Sequence, residues 1–172
     1  MQFSGSSSYL QAYGFYQLDY SISTQPFSIS LWLNPSAVTS SAIVQITQQQ
    51  SSGSCFSLMG ITSATGLTGH LMVQGYAWSI IYGPFLTMNT WTHVSLTYSS
   101  ANGMTLYVNG VLFGSTGTCT FYGTGWITWL QFGSNFACSA NVPNGGYQGS
   151  IDEIYVHSRE LTQADITALA NP

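Results

Sequence analysis

The sequence predicts an all-β fold, two packed antiparallel sheets followed by one short C-terminal helix. Three observations carry this reading. Apolar and polar residues alternate with period two along most of the chain, Asn-Gly pairs interrupt the alternation at hairpin spacing, and a single complete helix-start signal stands near the end.

In FSISLWLNP, Phe27, Ile29, Leu31 and Leu33 fall on one face and Ser28, Ser30 and Trp32 on the other, the pattern of a half-buried strand. Further strands are expected at Ala42–Gln48, Cys55–Ile61, His70–Gln74 and Trp78–Tyr82. In WTHVSLTYSS, Val94, Leu96 and Tyr98 alternate with Ser95 and Thr97; Met104–Val108 and Val111–Gly114 follow. Asn102-Gly103 and Asn109-Gly110 supply tight turns, because both residue types tolerate positive φ. Trp126–Phe132 and Gln148–Val156 complete a set of about ten strands, enough for a sandwich. Thr162 then reads as an N-cap with Asp165 closing a capping box, and Leu161 and Ile166 as the hydrophobic staple around it. No linker, repeat or second domain interrupts the chain, so residues 1–172 read as one domain.

Charged residues are only 3% of the sequence, against about 25% in an ordinary domain. The single basic residue is Arg159, which excludes nucleic acid as a partner, since phosphate binding needs clustered Lys and Arg. Membrane insertion is not expected either: the richest apolar stretch, HLMVQGYAWSIIYGPFL, is broken by Gln74, Gly75, Ser79, Gly83 and Pro84. With 45% hydrophobic and 15% aromatic residues the chain has ample material for a core, so its solvated faces must be mostly uncharged and polar. Of the five acids, Asp152, Glu153, Glu160 and Asp165 stand with Arg159 near the C-terminal end, and Asp19 stands alone.

Three cysteines, Cys55, Cys119 and Cys138, leave one over. Cys119 and Cys138 flank the expected Trp126–Phe132 strand, too far apart to pair, so Cys55 is expected to bond one of them. A disulfide, together with abundant Ser, Thr, Gly and Tyr and no lysine, suits a secreted or cell-surface setting. MQFSGSSSYL has neither a basic segment nor an apolar h-region, so a secreted protein is expected to reach this form as a mature or excised domain. No Asn-x-Ser/Thr sequon is present, which leaves O-linked glycosylation open.

The string WTHVSLTYSSANGMTLYVNGVLFGST resembles the centre of laminin G-like domains of the concanavalin A-like jelly-roll superfamily, where a W-x-H-V strand leads into an L-Y-V-[DN]-G hairpin. MQFSGSSSYLQ, FSISLWLNP and the closing GYQGSIDEIYVHSRELTQADITAL fall in that family's order, so the resemblance covers nearly the whole chain. It implies a jelly-roll sandwich, with SIDEIYV as the last strand and SREL as the turn into the helix. Alternation there directs Ile151 and Glu153 one way and Asp152 and Ile154 the other, while Arg159 is expected to pair with Glu160 or Glu153.

In related jelly rolls an aspartate of the last strand and main-chain oxygens near the first strand hold a structural Ca²⁺. The resemblance places these at Asp152 and the turn Phe3 to Gly5, with Ser4 where the family often has an acid. Calcium takes about six to eight oxygens, so such a site is short of carboxylate. The family's glycosidases use an E-x-D-x-x-E strand, and hydrolysis needs two carboxylates about 5–10 Å apart. No such strand occurs, His70, His93 and His157 lack metal spacing, and no serine sits in a nucleophile elbow, so an enzyme is not expected.

Aromatic side chains offer a binding surface that needs no charge. Tyr76, Trp78 and Tyr82 surround one strand pair, and Tyr122, Trp126, Trp129 and Tyr147 surround the late loops. Sugar rings stack on such groups while Gln, Asn and Ser supply hydrogen bonds. Two functions are therefore expected from the sequence: an extracellular recognition or adhesion module that binds glycans or glycoproteins through rim loops, or a self-associating structural subunit of a filament, coat or matrix. The second rests on a surface without the charges that ordinarily prevent association.

Overall fold

The computed structural model describes residues 1–5, 8–15, 18, 25–49, 55–75, 79–121, 127–133, 138 and 145–172. Two antiparallel sheets of six strands face one another. Sheet A holds, in spatial order, β1 (Gln2–Ser4), β12 (Gln148–His157), β3 (Phe27–Pro35), β8 (Thr92–Ser99), β9 (Gly103–Val108) and β10 (Val111–Ser115). Sheet B holds β2 (Leu10–Phe15), β11 (Thr128–Phe132), β4 (Ser41–Thr47), β5 (Cys55–Ile61), β6 (His70–Gln74) and β7 (Ile80–Phe85). A helix α1, Gln163–Leu169, closes the chain. Among the described residues no helix is long and apolar enough to cross a membrane.

Most strands fall where alternation places them, with Cys55–Ile61 and His70–Gln74 unchanged at both ends. The expected Trp78–Tyr82 lies later, at Ile80–Phe85, and β1 and β2 add to the set. Asn109 and Gly110 adopt φ of 49° and 78° in the β9–β10 turn, as the pair was expected to do. The core lies between the sheets. Phe27, Tyr98 and Phe121 pack ring to ring at 5.4–5.6 Å, and the Tyr98 hydroxyl is used twice, accepting from Phe121 N and donating to Cys119 O.

The strands of sheet A are not half-buried as expected. Ser28, Ser30, Ser95 and Thr97 face away from the core, yet each is at most 1% exposed. The end of the chain lies over Ser28. Ser28 Oγ donates to Arg159 O and accepts from Leu161 N, Leu161 and Ile166 are buried, and Gln163 Nε2 donates to Gly110 O. The lack of a Cβ at Gly110 lets Ala170 and Thr167 approach the β9–β10 turn closely.

A seven-residue helix is marginal alone, so its start is heavily determined. One oxygen of Asp165 accepts from Thr162 N, Thr162 Oγ1 and Arg159 Nη1, each at 2.8 Å, while Asp165 N donates back to Thr162 Oγ1. Arg159 therefore pairs with Asp165, correcting the expected Glu160 or Glu153, because the capping box already holds that carboxylate beside it. The Arg159 contact first, and then the two Thr162 bonds, keep the Asp165 carboxyl below the usual carboxylate range. Glu160 instead accepts from Asn102 Nδ2 at 3.0 Å, linking the helix approach to the β8–β9 turn.

His93 lies in the same buried layer, on β8. Its Nε2 is 2.8 Å from Ser30 Oγ, which accepts from Ser95 Oγ, and its ring meets Trp32 edge to face at 5.3 Å. Burial pushes its pKa down to about 4, so the ring is neutral at physiological pH. An unfolded chain carries an ordinary histidine near about 6.5. Stability is then fully present above that value and falls as pH drops towards 4, by about 3 kcal/mol at most. One imidazole of three is expected to titrate near pH 4 by NMR, and the urea midpoint of the wild type is expected to fall between neutral pH and pH 4 more steeply than that of His93→Gln.

Candidate functional site

The chain end packs on the outer side of sheet A at Ser28 and on the turn at Gly110, whereas the outer side of sheet B is open at its margins. Register and alternation define it. Leu130, Phe132, Val44 and Ile46 point into the core, so their strand neighbours Trp129, Gln131, Gln45 and Thr47 point outward. Across the strands, Gln11, Gln131, Gln45 and Ser57 stand in one row, and Tyr13, Trp129, Thr47 and Cys55 in the next. Gln45 Nε2 donates to Ser57 Oγ at 2.9 Å and Gln131 Nε2 to Thr47 Oγ1 at 3.4 Å. The middle of these rows is buried. Their β2 margin is open: Tyr13 is 58% exposed and packs on the half-buried Trp129 with ring centroids 4.8 Å apart.

On the same side, Ala42, Gly60, Met72 and Tyr82 form a further row running to the β7 margin. Met72 is buried and Tyr82 is 43% exposed. The face is thus a layer of amides and hydroxyls with exposed aromatic rings at both edges. It carries no carboxylate among the described residues: Asp152, Glu153, Glu160 and Asp165 all belong to β12 or to the chain end on sheet A.

Of the expected ligand contacts, Tyr82 lies on this face, and Tyr76, Trp78, Tyr122 and Trp126 lie outside the described residues. Tyr147 is a correction. It is wholly buried, edge-on to Phe3 at 6.2 Å, with its hydroxyl donating to Ser150 O and its pKa raised by burial. The end of the late loop is pinned from both sides, Ala42 N donating to Gly145 O and Gly5 N to Tyr147 O, and this turns the ring inward. Tyr13 and the glutamines were missed; their signal was the short alternation in LQAYGF, legible only once β2 is paired to β11.

The residues expected to share a metal are also separated. Gly5 lies beside Tyr147, whereas Asp152 lies five residues further along β12, about 16 Å at strand rise. Gly5 O accepts from Ser8 N and Asp152 Oδ1 from Glu153 N. This pair does not fit one calcium ion, and among the described residues no group of three or more His, Cys, Asp or Glu is placed to hold a metal. Strict alternation also fails here. Asp152 pairs with Trp32 and Tyr155 with Ser30, so one extra residue is accommodated, with Glu153 at φ 47° and both acids exposed. The disulfide joins Cys55 to Cys138, Cα atoms 5.0 Å apart, and Cys119 is a partly buried free thiol.

The profile of the concanavalin A-like lectin/glucanases superfamily matches residues 4–167, and the chain belongs to that superfamily. Among solved structures it is similar to domain 4 of AbnA, a GH43 extracellular arabinanase from Geobacillus stearothermophilus, in complex with arabinotriose: 21% identity, TM-score 0.61, covering 87% of this chain and 68% of that one. It is similar to the heptameric SAP-like pentraxin from Limulus polyphemus, at 18% identity and TM-score 0.64, covering 99% and 80%. It is also similar to the binding domain of botulinum neurotoxin DC in complex with SialylT, at 20% identity and TM-score 0.58, covering 97% of this chain but only 41% of that one. At these identities the likeness is one of fold. No curated protein sequence matches the chain.

Two substitutions check these placements. Tyr147→Ala is expected to lower stability by about 3–5 kcal/mol in urea unfolding, as loss of a core aromatic does, instead of altering a surface. Glu153→Gly is expected to be neutral or stabilising by up to about 1 kcal/mol, and Glu153→Val to destabilise, because a β-branched residue resists positive φ.

Proposed function

We propose that the protein is a non-catalytic, extracellular carbohydrate-recognition module that binds glycans or glycoproteins through the outer side of sheet B. The observation that carries this reading is the Tyr13 ring, 58% exposed at the β2 margin and packed on the half-buried Trp129. A pyranose or furanose ring presents an apolar C–H face and a rim of hydroxyls. The Tyr13 ring complements the first, and uncharged polar groups suit the second, with no charge required. Supporting the reading, two of the similar folds were solved with a saccharide or SialylT bound. The disulfide supports an oxidising compartment. The sequence has no E-x-D-x-x-E strand, which supports binding without hydrolysis, since hydrolysis requires a carboxylate pair.

Trp129→Ala and Tyr13→Ala are each expected to weaken glycan binding at least about tenfold with unchanged far-UV circular dichroism, an aromatic stacking loss of roughly 1.4 kcal/mol. Glycan-array binding that survives both changes overturns this placement.

A second reading, self-association, is favoured by β10. It is an edge strand of sheet A with Val111 67%, Leu112 55% and Phe113 47% exposed. Sedimentation velocity separates the two. The recognition reading expects a dominant species near 18.6 kDa; large particles that Phe113→Lys disperses would favour the second.

A further inference from the structure

Resting on the carbohydrate reading of sheet B, we propose that this face takes uncharged glycans and rejects their carboxylated and sulfated counterparts. The argument is one of available positive charge. A protein holds a carboxylate or sulfate in a partly dehydrated site with Arg or Lys, or with a free helix N-terminus. The whole chain has one such cation, Arg159, and it is committed to Asp165 at 2.8 Å on the sheet A side. The helix N-terminus is on that side too, and the Asp165 carboxylate already occupies it. The amino terminus donates to Ile151 O, again on sheet A.

Among the histidines, His93 and His157 belong to sheet A, and His93 is neutral and buried. His70 alone stands on sheet B, where it donates from Nδ1 to Gly83 O on the strand pair far from Tyr13. Among the described residues, what remains around Tyr13 and Trp129 is aromatic carbon, amide and hydroxyl. A carboxylate transferred there loses hydration without gaining a counter-charge. The net charge of −4 adds a long-range repulsion. A neutral sugar meets neither cost.

The test uses matched glycan pairs that differ only in charge: galacturonan oligomers with methyl-esterified or free carboxyls, and lactosamine chains with or without a sialyl or sulfate group. Binding is measured by calorimetry on the full chain at low and physiological salt, above the histidine titration range. The expected result is at least about tenfold tighter binding of the neutral member, roughly 1.4 kcal/mol. Its affinity is expected to be insensitive to salt, while the residual affinity of the charged member rises with salt as repulsion is screened. Both signals are expected to be reduced in Tyr13→Ala, whose exposed ring can be removed without loss of the fold. Equal or tighter binding of the charged member overturns the charge selectivity and leaves the carbohydrate reading standing. Binding of neither member of any pair overturns both.

Discussion

The constraint on which the structure depends is that its polar groups are buried almost without ions. With a single Arg and no Lys, the chain cannot neutralise buried carboxylates, and none of the described ones is buried. It buries hydroxyls, amides and one neutral imidazole instead. Ser95, Ser30 and His93 form a short hydrogen-bonded series under the chain end, and Gln45 with Ser57 and Gln131 with Thr47 do the same on sheet B. Such groups need geometry more than strength, because a neutral bond contributes only about 1 kcal/mol but leaving a buried partner unmatched costs more. The few charges gather where a short helix needs a fixed start. The Asp165 capping box and the Arg159 contact set the angle at which Leu161 and Ile166 reach the serines of sheet A.

The strands were legible because alternation is a local property, and Asn109-Gly110 was legible because positive φ selects its residues. What covers a face was not. Ser28 and Ser30 read as solvated, since a serine looks the same beneath water as beneath a helix; only the tertiary path of residues 158–170 decides. Tyr147 failed for a related reason. Its neighbours are loop-forming, but Gly5 and Ala42, distant in sequence, hold that segment against the core. Glu153 misled alternation because nothing in SIDEIYV announces an extra residue, and its cost appears only against the fixed spacing of β3. The site was half visible: aromatic residues were expected on a surface, and Tyr82 is there, but the Tyr13–Trp129 pair depends on β2 joining β11 across more than a hundred residues.

The missing lysines change how the sheet edges are protected. Edge strands usually discourage pairing with charge. Here β7 carries Pro84, which lacks an N–H to donate; β1 is three residues long; and β10 is interrupted between Leu112 and Gly114, where the register shifts around Phe113. Each device works without charge. They weigh against extended edge-to-edge assembly, although the exposed apolar residues of β10 pull in the other direction.

The two sheets have consequently unlike outer sides. Sheet A buries small hydroxyl residues on β3 and β8, and every described charged side chain lies on its β12 strand or on the chain end that follows it. Sheet B uses long amides and keeps aromatic rings at its open margins. At Ser28 a ligand for sheet A would have to compete with the main chain of Arg159 and Leu161. A ligand for sheet B would meet Tyr13 and Tyr82 already exposed, with Trp129 half-buried beneath Tyr13. The same sequence economy that removes charge from the fold thus leaves the two outer sides chemically unlike.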